Sequence, residues 1–140
     1  MDTSVVIAGI SGFKAGFFPG RNSSADVLGE WVEKGSFIWL ITDDILQEYK
    51  ELAKRLKVRP HIAGRLINLL QEEAEEVAVK ESIDISRDPG DNTFCGCAEA
   101  GGANFLITLN PRDFPQRKLS ARVVSPTEFH ALMRRRRGIR

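Results

Sequence analysis

The sequence predicts an α/β fold in which a mostly parallel sheet is flanked by helices. Three observations carry that prediction. Short apolar runs of strand length ("SFIWLIT", "NFLIT", "RVV") recur along the chain. Stretches with helical spacing or helix-capping signals separate them. No internal repeat or low-complexity linker divides the 140 residues, a length that suits one domain with an ordinary core. Helices alternating with apolar strands cover both faces of a sheet, the setting in which parallel strands occur. The expected division is a single domain over residues 1–133 and a disordered basic tail over 134–140.

The elements follow in order. "SVVIAG" is ambiguous, because its β-branched residues favour a strand while so short an apolar run has no decisive period. "SGFKAGFFPGRNSS" is Gly-rich and Pro-containing and reads as a loop or lid. "SADVLGEWVEKG" reads as a helix capped by Ser23 or Ser24 and closed by Gly35. After the strand "SFIWLIT", Thr42 caps "DDILQEYKELAKRL", whose Ile45, Leu46, Tyr49, Leu52, Ala53 and Leu56 recur at helical spacing. Pro60 opens a further helix, and "VAVKESIDI" is a place for a strand. "DNTFCGCAEAGG" is a small-residue helix closed by Gly101 and Gly102, followed by the strand "NFLIT". "RVV" is the last strand. Ser125 and Glu128 in "SPTEF" form a capping box that starts the final helix.

Composition excludes some functions. Twenty Lys and Arg against nineteen Asp and Glu leave a net charge of +1, so bulk charge does not mark a nucleic-acid binder. The arginines are nevertheless uneven, with five in the last seven residues, where they form a solvated end that can attract RNA phosphates. Cys95 and Cys97 are too close for a disulfide framework, and no secretory segment opens the chain. A soluble protein in a reducing cytoplasm is therefore expected. "GISGFKAG" lacks the Gly-Lys-Ser/Thr ending of a phosphate-binding loop, which excludes that route to nucleotide hydrolysis.

Open parallel sheets bind ligands at the carboxyl ends of their strands. Acids and amides gather there: Asp2, Glu48 on the helix after "FIWLIT", Asp88 and Asp91 in "RDPGDN", and Asn110 and Asp113 in "LNPRDF". Such carboxylates repel one another unless a cation neutralises them, and hard oxygen ligands suit Mg²⁺ or Mn²⁺, which hold a phosphate and an attacking water. Each residue also has a plainer reading. Glu48 by itself fits a solvated helix face, and Asp91 a helix N-cap, a role compatible with metal binding. Asp88 and Asp113 fit turns. Cys95 and Cys97, two apart, point to different helix faces and fit small core residues. His61 and His130 have no partner motif.

With those residues in place, "DTSVVIAG", "ILQEYKELAKR", "RDPGDNTFCGCAEAGGANFLIT" and "SPTEF" resemble the PIN-domain nucleases, with most likeness to the branch of toxin components of toxin–antitoxin systems. The resemblance implies a three-layer α/β fold around a parallel sheet and divalent-metal-dependent cleavage of RNA. It further implies a small antitoxin protein as partner, and homodimers. Asp2, Glu48 and Asp91 match the family's metal-site acids, which would bind Mg²⁺ or Mn²⁺ and carry catalysis. Asn110 stands where a fourth acid is usual, so that it would reach the metal through water and leave the site one charge short. Thr3 and Ser4 resemble the residues that orient the first acid, with Asp113 as a further neighbour of the site. Arg87, Arg112 and the tail arginines Arg134, Arg135, Arg136 and Arg137 are candidates for the RNA backbone.

The resemblance also makes "SVVIAG" a helix, with Thr3 or Ser4 at its cap. It places an apolar strand before the first acid, in mid-sheet, where this sequence has only Met1. The fold is thus expected with a truncated first strand, Met1 being internal to a longer protein or the strand coming from a partner. The functional expectation is a metal-dependent endoribonuclease. Its rival is a non-catalytic module that binds RNA or protein through a degenerate metal site.

Overall fold

The computed structural model describes residues 1–14 and 22–138. Its elements alternate as α1 (Thr3–Lys14), α2 (Ser23–Lys34), β1 (Leu40–Ile41), α3 (Asp43–Arg55), α4 (Pro60–Glu73), β2 (Glu75–Glu76), α5 (Pro89–Gly101), β3 (Phe105–Ile107), β4 (Arg122–Val124) and α6 (Pro126–Gly138).

The β-branched run at the start is helical. The Asp2 carbonyl accepts from the Val5 N–H at 3.1 Å, so the residue just ahead of the helix is Asp2, not Thr3 or Ser4. Val5, Val6 and Ile10 are buried at helical spacing, and this burial overrides the strand preference of Val and Ile. Gly9 lets α1 and α2 approach closely, since a Cβ there would come within 2.4 Å of Leu28 Cδ1. Of the expected loop, Ser11–Lys14 belong to α1, while 15–21 lie outside the described residues. Asn22, rather than Ser23 or Ser24, caps α2: its Oδ1 accepts from the Ala25 N–H at 3.0 Å. Gly35 closes that helix in the left-handed conformation, at φ 57°.

Thr42 caps α3 as expected, its Oγ1 accepting from the Ile45 N–H at 3.1 Å. The strand expected in "VAVKESIDI" instead falls just before it, at β2, where the Glu75 and Val77 N–H groups donate to the carbonyls of Trp39 and Ile41 at 2.9 and 2.8 Å. Asp88, rather than Asp91, caps α5: its Oδ1 accepts from the Gly90 N–H at 2.9 Å. Ser125 accepts from the Glu128 N–H at 3.1 Å, and α6 then continues to Gly138. α6 thus runs through the first residues of the basic stretch, as far as Gly138.

β1 pairs in parallel with β2, and β3 in parallel with β4 in the register Leu106↔Val123. Among the described residues these are two separate half-sheets, not one sheet. Leu106 enters a large core with Ile45, Tyr49, Leu70 and Phe94. The next residue, Ile107, enters a smaller one with Val5, Val27, Val124, Phe129 and Met133. Successive residues of one strand point to opposite faces, so helices cover both sides in three layers.

Candidate active site

Asp2 is anchored where β3 ends. Its N–H donates to the Ile107 carbonyl at 2.8 Å. Its Oδ2 accepts from Thr108 Oγ1 at 2.8 Å and from Ser4 Oγ at 2.7 Å. Two hydroxyl donors explain how a carboxylate only 9 % exposed is tolerated beside apolar residues. The same hydroxyls accept in turn: Thr108 Oγ1 from the Asn110 N–H at 3.1 Å, Ser4 Oγ from the Leu109 N–H at 3.3 Å. Asp2 and the start of the loop after β3 are thereby locked to one another. From the other side, the Tyr49 hydroxyl of α3 donates to the Met1 carbonyl. Thr3 does not share Ser4's role, because its Oγ1 is buried without a hydrogen-bond partner among the described residues.

Glu48 precedes Tyr49 on α3, and Asp91 sits in the first turn of α5; both are half-buried. Burial, then the charges of Asp2, Asp91, Asp88 and Glu51, push the Glu48 carboxyl up to about 7. Burial, then Asp2, Asp88 and Asp113, push Asp91 up to about 6. Asp2 and Asp91 thus act electrostatically on Glu48, and Asp2 on Asp91, from three elements distant in sequence. Asp88 and Asp113 add to the field from exposed positions. Asn110 is exposed, and its carbonyl accepts from the Asp113 N–H at 3.0 Å, in the turn that follows β3. Arg87 and Arg112 are exposed, as are Arg134 and Arg135 at the far end of α6.

Among the described residues, no group of three or more His, Cys, Asp or Glu is placed so that it could hold a metal ion. The donor chemistry nevertheless fits a hard divalent cation. Glu48 and Asp91 are oxygen donors that hold protons above their ordinary range because negative charge and burial surround them, and a cation relieves both. The cysteines do not compete, since both are buried in the core and burial pushes the Cys95 thiol up to about 11. His130 lies 3.8 Å from Glu30 of α2, and His61 is exposed on α4.

Two contributors escaped the sequence reading, Thr108 and Tyr49. Thr108 carried a faint signal, a hydroxyl closing the apolar run "NFLIT". Tyr49 was legible only as a core position. Asp88, one of the candidate acids, caps α5 instead of closing a turn, and the Pro89 that follows it is a common first residue of a helix.

Asp2 is anchored at the carboxyl end of β3, where open parallel α/β sheets bind their ligands. A family model for the PIN domain matches residues 1–112, and the chain belongs to the PIN-domain family. PIN domains are in general nucleases, and they typically use divalent metals. No curated protein and no solved structure matches the chain.

Proposed function

We propose that this protein is a metal-dependent endoribonuclease, the toxin component of a toxin–antitoxin system. The observation that supports the reading is the raised pKa of Glu48 and Asp91, pushed up by burial and by neighbouring acids that include Asp2. In this reading Asp2, Glu48 and Asp91 hold Mg²⁺ or Mn²⁺, with Asn110 contributing through water. The ion supplies Lewis-acid polarisation of the phosphate and lowers the pKa of the attacking water. Ser4 and Thr108 hold Asp2 in one orientation, both on Oδ2, which leaves Oδ1 for an external ligand. Asp113 adds negative charge beside Asp91. Arg87, Arg112 and residues 134–137 hold RNA phosphates without reading bases. A cognate antitoxin, a homodimer and a cytoplasmic location belong to the same proposal, supported by the likeness of the quoted motifs to the toxin branch.

Cleavage of a mixed RNA pool with and without Mg²⁺ or Mn²⁺, beside Glu48→Gln, is the test. Metal-dependent cleavage that vanishes in the variant supports the enzyme. Metal-independent RNA binding with no cleavage replaces it with a binding module.

A further inference from the structure

The outer edge of β4 is closed by a side chain. On the inner edge, the Arg122 N–H donates to the Asn104 carbonyl at 2.9 Å, and the Val124 carbonyl accepts from the Thr108 N–H at 3.0 Å. Arg122 and Val124 thus turn their amide groups to β3, and the alternation along a strand turns those of Ala121 and Val123 outward. Among the described residues no further strand pairs there. The Gln116 carboxamide takes that place. Its Nε2 donates to the Ala121 carbonyl at 2.8 Å, and its Oε1 accepts from the Val123 N–H at 2.7 Å.

These two bonds have the pattern of a parallel ladder. A residue of a neighbouring parallel strand, set opposite Arg122, would donate to the carbonyl before it and accept from the N–H after it. Gln116 does both with one group, because a primary amide carries a donor and an acceptor side by side, as a peptide does. Gln116 is brought to the edge by its neighbours. It opens a single turn of 3₁₀ helix, Gln116–Lys118, between Phe114 and Leu119, both buried in the larger core. Ser120 is then fixed to α5, where Glu99 Oε1 accepts from its N–H at 2.6 Å and Glu99 Oε2 from its Oγ at 3.2 Å. Arg117, Lys118 and Arg122 are exposed around the carboxamide.

We infer that Gln116 is a surrogate strand, which closes this edge of the sheet against a second copy of the chain. Every copy carries the same edge, so two β4 strands meeting about a two-fold axis would satisfy both at once. The Val-Val sequence of β4 suits such pairing. Arg117, Lys118 and Arg122 raise a further barrier, since each copy would bring the same three charges to the contact. The inference rests on the edge alone and is independent of the acid cluster's chemistry.

Gln116→Ala in the full chain tests it, because the variant loses both bonds while Phe114, Leu119 and Ser120 keep their anchors. In dilute protein, hydrogen exchange at the Val123 amide is expected to quicken about tenfold or more. With rising concentration the variant should gain mass over the unmodified chain in sedimentation. The gain should be larger at high salt, which screens the three cations. Val123 should regain protection as the copies pair. Equal exchange at Val123 in the two proteins overturns the inference, because Gln116 would then not hold that N–H. Lost protection with no gain in mass at any concentration or salt also overturns it. So does a gain in mass without renewed protection at Val123, since the copies then meet elsewhere. If the variant does not fold, the unmodified chain decides. Slow exchange at Val123 that is independent of concentration supports the inference; free exchange, or protection that grows with concentration, overturns it.

Discussion

Asp2 and the pair Glu48–Asp91, the acids of the proposed site, are held in opposite ways. Asp2 is buried, and its charge is met by two protein hydroxyls and locked to the loop after β3. Glu48 and Asp91 are half-buried, and burial and neighbouring acids push both up in pKa, to about 7 and about 6. Asp2 is thus built into the fold, whereas the other two are built against it. The difference teaches that this fold supplies the position of the site but not all of its charge balance. A cation or protons must supply the remainder.

The largest expected effect separates stability from activity. Asp2→Asn and Glu48→Gln should each lower metal-dependent cleavage by about 10²-fold or more. Only Asp2→Asn should also lower the melting temperature, because it disturbs a satisfied buried carboxylate. Glu48→Gln removes a repelled charge and should raise the metal-free melting temperature above pH 7, a gain in stability at the expense of function. Equal destabilisation by both variants would break the comparison.

Next in size is Thr108→Val, which deletes a donor to Asp2 and an acceptor for the Asn110 N–H. A loss of about 1–3 kcal/mol in denaturant unfolding is expected. Ser4→Ala, at a half-buried position that water can reach, should cost less. The reverse order would move the anchor of Asp2 from β3 to α1.

Asn110→Asp should tighten Mn²⁺ binding by about 1 kcal/mol, roughly fivefold, as measured by calorimetry. Unchanged or weaker binding would show that position 110 does not face the cation.

The smallest effect is the pH profile. Glu48 and Asp91 hold protons more tightly in the folded chain than in the unfolded one, so unfolding releases protons. Metal-free stability should therefore fall as pH rises from 4.5 to about 7 for Glu48 and from 3.8 to about 6 for Asp91. Both carboxyls are partly solvated, which limits the slope. Saturating Mn²⁺ should flatten or reverse it, and a metal-insensitive slope would count against a cation at these two acids.

Features that close within a few residues were determined by the sequence itself. Thr42 reaches Ile45, Ser125 reaches Glu128, and Gly35 and Gly102 end helices, each within about one helical turn. The acids Asp2, Glu48 and Asp91 stood out as candidates beside apolar runs, but only the resemblance to PIN domains joined them into a metal site. The tertiary structure decided whatever depends on distant partners. β2 is two exposed glutamates with no apolar signal, and it is a strand only because the backbone around β1 offers it carbonyls. The Val-rich start is a helix because α2 and the half-sheet β3–β4 bury one of its sides. Asp88 rather than Asp91 caps α5, a choice between two nearby acids that side-chain geometry makes. The anchor of Asp2 is a hydroxyl 106 residues away, and no local spacing encodes a bond of that reach. Local capping geometry is written into three or four consecutive residues. Ladders and buried carboxylate bonds exist only once the chain has closed loops of tens to a hundred residues.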